Sequence, residues 1–303
     1  MRWIAVFAVT LAALLALAIP AQAGMMEMMT DCAQHDDPGL GVSGCTAAID
    51  SGQWQGEKLA LLYYKRAVAY GRLGELRRAI ADYDDALRLG WVGAKVYGNR
   101  GRIYGILGQH RRAIQDFDQL LRLEPGNAFA YHSRGFAFGD LGEYRRAIQD
   151  YDQAVQLNPG DVVVYINRGT AYAKLGEFRR AILNFDQALR LDPGNVFVNY
   201  NRGVAYNDLG EFRLAIEAYS QALQLDPSYS AAYMARGNVH KSLGEYERAA
   251  VDWGQAIRID GTPRAKSWQE YLKGKGYYSG ANDGVINSDL QRGLVACARD
   301  PHC

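Results

Sequence analysis

The glycines of six Leu-Gly dipeptides stand at Gly74, Gly108, Gly142, Gly176, Gly210 and Gly244, each 34 residues after the last. Such equal spacing requires one structural unit used six times, each too short to bury a core without its neighbours. With Ala60 as position 1 of the first unit, position 8 is Ala67, Gly101, Gly135, Gly169, Gly203 and Gly237, and position 20 is always alanine. Rings recur nearby: position 11 is Tyr70, Tyr104, Phe138, Tyr172 and Tyr206, with His240 last, and position 24 is Tyr83, Phe117, Tyr151, Phe185, Tyr219 and Trp253. Small residues alternating with rings at fixed places mark two backbones in close approach.

Spacings of four and three put positions 20, 24 and 27 on one face of a helix. The pattern therefore predicts a helical hairpin. A first helix covers positions 2–14, the position-15 glycine stops it in the left-handed conformation, and a second helix ends before Pro125, Pro159, Pro193 or Pro227. Trp91 replaces that proline in the first unit, and the sixth delays it to Pro263. Stacked hairpins give an all-α chain, a right-handed α-solenoid with one concave and one convex side.

These residues resemble the tetratricopeptide repeat across 60–263, with almost every signature position filled; Leu120, where alanine is expected, is a further local departure. The resemblance implies a non-enzymatic scaffold that binds a protein or peptide on its concave side, lined by first-helix positions 2, 5, 6, 9, 12 and 13. Position 6 reads Lys65, Asn99, Ser133, Asn167, Asn201 and Ala235. In related superhelices asparagines there hold a peptide backbone, because an amide both donates to a carbonyl and accepts from an N–H. Asn99, Asn167 and Asn201 are thus the leading candidates, amid Lys95, Arg102, Phe129, His132, Phe136, Phe197, Tyr200 and Lys241. Rings mixed with cations suit a peptide with apolar anchors and acidic character. The bland alternative is that asparagine tolerates a solvated helix face.

Position 7 is arginine in all six repeats (Arg66, Arg100, Arg134, Arg168, Arg202, Arg236), where the family usually carries leucine. One reading is a cationic ladder for an anionic polymer. The better one is internal pairing, since aspartates recur at position 23 (Asp82, Asp116, Asp150, Asp252) and position 25 (Asp84, Asp118, Asp152, Asp186), and a guanidinium fork matches a carboxylate bidentately. The arginine pairs at positions 18 and 19 read as solvated convex stripes.

Outside the repeats the ends carry their own signals. Arg2, the apolar run Ile4 to Ile19, and Pro20-Ala21-Gln22-Ala23 have the layout of a cleaved secretory signal over 1–23. A spanning helix is the rival reading, but the run is short and no second apolar stretch follows. Segment 24–59 reads as an N-terminal cap, with Cys45 to Gly52 resembling a lone second helix. Four cysteines, Cys32, Cys45, Cys297 and Cys303, form two close pairs in a chain bound for an oxidising compartment, predicting Cys32–Cys45 and Cys297–Cys303 bridges among three formal pairings. A loop of about 14 residues closed in this way gains about 3 kcal/mol.

Segment 264–303 departs from the repeat. Ser267 to Lys273 reads as a helix covering the sixth repeat, and Asn287 to Ala298 as another. Gln269, Leu272, Gly276-Tyr277-Tyr278-Ser279-Gly280 and Asp283-Gly284 resemble the front of a peptidoglycan-binding domain. The match covers about a tenth of the chain and lapses at Asn287 and Leu290, where that family continues with Gly-x-x-Thr. It implies Tyr277, Tyr278 and Asp283 as wall-binding candidates, against a purely structural cap.

With 34 Lys+Arg against 33 Asp+Glu, the charge balance argues against nucleic acid or an anionic membrane as partner. The histidines His35, His110, His132, His240 and His302 lack metal-ligand spacing, and no nucleophile motif stands out, so no cofactor, metal or catalytic residue is expected. Met25-Met26-Glu27-Met28-Met29 offers thioethers to copper(I) but reads better as a loose new terminus. The sequence thus points to a periplasmic adaptor of a Gram-negative envelope, with a wall-associated protein as first alternative and an envelope enzyme as a distant second.

Overall fold

The computed structural model describes residues 30–32 and 36–303. The expected signal segment, the methionine run and His35 lie outside the described residues. Among the described residues there is no strand, and none of the helices is long and apolar enough to cross a membrane. They fall into two compact units, one ending at Leu141 and the other starting at Gly142.

The first unit holds α1 (Pro38–Asp50), α2 (Gly56–Arg72), α3 (Leu76–Arg88), α4 (Ala94–Ile106), α5 (His110–Leu123) and α6 (Ala128–Asp140). In the second are α7 (Tyr144–Leu157), α8 (Val162–Lys174), α9 (Phe178–Leu191), α10 (Val196–Asp208), α11 (Phe212–Leu225), α12 (Ser230–Ser242), α13 (Tyr246–Asp260), α14 (Thr262–Gly274) and α15 (Ser288–Arg299). Within each unit these are stacked hairpins. First and second helices of a repeat pack together (α2 on α3, α4 on α5, α8 on α9, α10 on α11, α12 on α13), and each second helix also packs on the next first helix.

The periodic glycines act as the sequence predicts. Gly74 has φ +77° and Gly210 φ +76°, a region in which an L side chain is strained. Around them the amide of Glu75 bonds Tyr70 O at 2.9 Å and that of Glu211 bonds Tyr206 O at 2.9 Å, closing the helix end from the position-11 residue. Three first helices, α6, α8 and α10, start on side-chain caps: Asn127 accepts from Ala130 N, Asp161 from Val163 N and Asn195 from Val198 N. The proline stop needs correcting in the sixth repeat, which ends on glycine as does the first, where Trp91 stands in place of proline. Helix α3 ends at Gly90 (φ +89°) and α13 at Gly261 (φ +79°), while Pro263 sits in the first turn of α14, where a missing N–H costs nothing.

Packing follows the alternation of small and large. A Cβ at Gly203 would lie 2.7 Å from the Tyr219 ring, one at Gly169 2.8 Å from Phe185, and one at Gly237 2.7 Å from Trp253. Those rings, each buried, fill the seam between the two helices of a repeat, against the buried position-20 alanines.

Both ends are closed. Helix α1 starts at a cap in which Asp37 accepts from Gly39 N and Leu40 N, and it packs on α2 through a small core of Cys32, Cys45, Ala48 and Leu62. The Cys32–Cys45 and Cys297–Cys303 bridges are both present. Helices α14 and α15 lie on α13, with Trp268 stacked on Trp253 at 5.8 Å and Leu272, Leu290, Leu294 and Cys297 joining the core.

The seam geometry separates two glycine substitutions that helix propensity alone would rank alike. Gly105 has open space around a built Cβ, so Gly105→Ala should stabilise by up to ~1 kcal/mol. Gly203→Ala should instead destabilise by about 1–3 kcal/mol, because it forces Tyr219 out of its seat. Urea midpoints of the two variants, followed by circular dichroism, should move in opposite directions.

Candidate binding faces and the arginine ladder

Position 7 lies between hairpins, and outside the fifth repeat its arginines are each paired with a carboxylate. Arg66 grips Asp82 with Nε at 2.7 Å and Nη2 at 2.9 Å, and Nη1 reaches Thr46 in the cap. Arg100 holds Asp116 in the same fork at 2.8 and 2.6 Å and takes Asp84 of the preceding repeat at 2.5 Å. Arg236 repeats the fork on Asp252 at 2.8 and 2.7 Å, with Nη1 on Ser220. Arg134 pairs with Asp118, and Arg168 with Asp152 and Asn184. Arg100, Arg168 and Arg236 thus each join their own second helix to that of the repeat before. The hydrogen bonds from Asp82 and Asp252 raise the pKa of Arg66 and Arg236 further above the usual arginine value. At Asp116 burial pushes the carboxyl up, against the pull of Arg100.

A tyrosine at position 4 flanks several of these guanidinium groups: Arg66 lies 5.4 Å from the Tyr63 centroid, Arg168 5.4 Å from Tyr165 and Arg236 5.5 Å from Tyr233. With carboxylates and rings already engaged, the ladder is an internal stitch. The position-19 arginines form short surface pairs with position 16, as in Arg146–Glu143 at 2.6 Å and Arg180–Glu177 at 2.7 Å, on exposed side chains. Such pairs contribute little, ~0–1 kcal/mol each.

The candidate ligand contacts lie on another side of the first helices. In the first unit Lys95, Asn99 and Arg102 follow one face of α4 at spacings of four and three, with Lys95 and Arg102 exposed and Asn99 half-buried. Asn99 bonds the phenols of Tyr64 and Tyr83, so its amide is partly occupied by the repeat before it. Phe129, His132 and Phe136 follow one face of α6; both rings are about half exposed, and Phe129 makes an edge contact with Phe117 at 6.3 Å.

In the second unit α8, α10 and α12 lie side by side, carrying Asn167, then Phe197, Tyr200 and Asn201, then Lys241. Phe197 is 65% exposed although it is a large apolar ring. It packs edge-on against Tyr229 at 5.6 Å, and Tyr229 meets Tyr200 at 5.3 Å, which leans on Tyr219 at 5.6 Å. Burial pushes the Tyr219 phenol up. Sequence reasoning missed Tyr229 and the half-exposed Val163, because position 34 belongs to the turn and Val163 is unremarkable on a helix. Position 2, with Phe129, Val163 and Phe197, carried the signal.

The tail motif forms its own hydrogen-bond network. Gln269 is fully buried and donates to Tyr278 Oη at 3.2 Å, Asp283 Oδ1 at 2.9 Å and Val285 O at 3.0 Å, while its Oε1 accepts from Gly284 N at 2.7 Å. Tyr278 is buried and donates to Ala281 O at 2.8 Å, and Tyr277 donates to Asp300. Of the wall-binding candidates, Tyr278 thus has its ring inside and its hydroxyl donated within the tail. Asp283, though exposed, is held below the usual carboxylate range by the Val285 amide and Gln269.

Among the described residues no group of three or more His, Cys, Asp or Glu side chains could hold a metal ion. His240 occupies a buried ring position, with Nδ1 2.6 Å from Glu245.

Gln269→Ala removes partners from several buried groups and should cost the tail about 1–3 kcal/mol. Trp268 fluorescence should report that loss ahead of the unfolding of the repeats. Because the folded pKa of Asp283 lies below its unfolded value, its contribution is present above the unfolded value and fades as pH falls through the folded one. The Trp268 transition should therefore weaken in acid.

Family models described as tetratricopeptide repeat match residues 60–89, 94–127, 162–195 and 197–229, and one described as TPR repeat matches 137–176. No curated protein matches the chain in sequence. Among solved structures the chain is similar to YrrB, described as a TPR protein with an unusual peptide-binding site, at 27% identity over 64% of this chain and 98% of that one, with TM-score 0.57. It is also similar to the C-terminal part of a TPR repeat-containing protein from Cytophaga hutchinsonii, at 19% identity over 77% and 94% with TM-score 0.64. A tetratricopeptide repeat protein from Parabacteroides merdae covers more of the chain, at 20% identity over 90% and 99% with TM-score 0.59. The last two likenesses are of fold alone. Matched by family models over five segments between residues 60 and 229, and built of the same stacked hairpins, the chain belongs to the tetratricopeptide repeat proteins.

Proposed function

We propose that this chain is an extracytoplasmic adaptor that holds an extended peptide segment of a partner protein on the first-helix face of its repeats, without turnover. The observation that carries this is Phe197, an apolar ring left 65% exposed beside Tyr229 and Tyr200, on the helix that also presents Asn201. Solvated rings braced by other rings are rigid anchors that lose little entropy on binding. The neighbouring asparagines at position 6 supply main-chain grip, and Lys241 one repeat on favours an acidic residue. The likeness to YrrB, whose description names a peptide-binding site, supports the same reading. In the first unit, Lys95, Arg102, Phe129 and Phe136 offer a comparable mixture.

The compartment is proposed on the two bridges, both with a fully or nearly buried cysteine, because structural disulfides persist in oxidising surroundings. Together with the signal layout of residues 1–23 this favours the periplasm, with 24–59 as a cap, 60–263 as the repeats and 264–303 as the closing element.

Peptides displayed on phage and selected on the purified full-length chain test the binding face. Phe197→Ala and Asn201→Ala should each change folding stability by less than ~0.5 kcal/mol. Loss of the ring should weaken the selected peptides by ~2 kcal/mol or more, and loss of the amide by about 1–3 kcal/mol. Peptides that bind both variants as well as the parent would place recognition elsewhere. Retention of the chain on purified sacculi, abolished by deleting 264–303, would instead favour the wall-binding alternative.

A further inference from the structure

The fifth repeat breaks the stitch. Position 23 is Ala218, where the first, second and sixth repeats place the aspartate that takes Nε of the arginine and the fourth places Asn184. Position 4 is Asn199, where every other repeat carries tyrosine. Arg202 therefore lacks both the carboxylate and the ring that its counterparts use. Its Nη1 bonds Asp186 at 2.8 Å, its Nη2 bonds Gln221 Oε1 at 2.6 Å and Asn199 Oδ1 at 3.2 Å, and its Nε is buried without a partner. Beside it opens a depression of about 380 Å³ lined by Arg202, Asn199, Gln221, Gln224, Leu189 and Leu225.

We propose that this depression is a carboxylate-binding site, in which a ligand's carboxylate takes the place that the missing aspartate fills in other repeats. On the edge away from Asp186, where Nη2 meets only amide oxygens and Nε is empty, a charged, bidentate acceptor is preferred to neutral ones. The incoming carboxylate displaces the Gln221 oxygen from Nη2 and brings its second oxygen to Nε. Freed Gln221, with Gln224, supplies amide donors to the rest of the ligand, and Leu189 and Leu225 supply apolar walls. The carboxylate comes from an acidic side chain or from a chain terminus. Position 4 is about 160° around the helix from position 6, so this site is separate from the Phe197 face and does not depend on the peptide reading above.

The Arg202 Nε–H resonance, identified by its absence in Arg202→Lys, reads the site directly in the full-length chain. Acetyl-Ala-Glu-Ala-amide carries only a side-chain carboxylate and acetyl-Ala-Ala-Ala only a terminal one. At least one of the two should shift the resonance saturably, and which one does so identifies the source. The neutral acetyl-Ala-Gln-Ala-amide should not. Ala218→Asp restores the internal partner, so in that variant the resonance should start shifted and respond at least tenfold more weakly. Gln221→Glu gives the same test should the buried aspartate impair folding. Phe197→Ala should leave the shift unchanged. The proposal is overturned if neither carboxylate peptide moves the resonance, if the neutral peptide moves it equally, or if the internal carboxylate variants respond as the parent does.

Discussion

One charge arrangement underlies the rest of the structure: a guanidinium held between helices by a carboxylate and a second acceptor, drawn from successive repeats or from the N-terminal cap. A lone arginine in that place would be severely penalised for desolvation. With Asp116 on one edge and Asp84 on another, Arg100 has its donors satisfied and its charge compensated, and three helices are fixed in mutual register. The tyrosine at position 4 closes over several of these groups and limits water access. This stitch replaces the leucine that usually sits there, exchanging non-directional packing for a contact that tolerates only one alignment of neighbouring hairpins.

The consequence for function is a division of labour around the first helix. Positions 8 and 11 face the partner helix, where glycine admits a ring and the last turn is closed. Position 7 faces the stitch. What remains is the side bearing positions 2, 6 and 9, and there the repeats stop agreeing with one another: Lys95, Phe129, Val163 and Phe197 occupy the same place in four repeats. Uniform positions are explained by the fold, so the variable ones are where a ligand can be distinguished. The fifth repeat applies the same logic in reverse, because Ala218 and Asn199 depart at positions that are otherwise structural, and both departures surround a single arginine.

Much of this was legible in the sequence because a repeat states its rules six times. Glycine at position 15, small residues at 8 and 20, and rings at 24 each have one physical reading, and the structure follows it. The arginine pairing was legible too, since its acidic partners recur at fixed distances. The tail was legible as helices but not as chemistry. Gln269, Tyr278 and Asp283 match a ligand-binding pattern, yet a sequence does not reveal that Gln269 is fully buried and hydrogen-bonded to both of the others. Tyr229 escaped notice for a related reason, because its contact with Phe197 depends on how one loop folds over the next helix. Helix ends at Gly90 and Gly261 differ from the proline rule since a left-handed glycine is sufficient by itself.

The central claim is that the position-7 arginines, Arg202 apart, are structural partners rather than ligand contacts, and the Arg66–Asp82 pair isolates it, having Thr46 rather than a second carboxylate on its other edge. A double-mutant cycle with Arg66→Ala and Asp82→Ala, measured as unfolding free energy, is the most direct test. Each single change strands a desolvated charge and should cost about 3–5 kcal/mol, while the double variant should cost no more than either alone. Single losses below about 0.5 kcal/mol, or losses that simply add, would contradict the stitch and return the arginines to the list of ligand contacts.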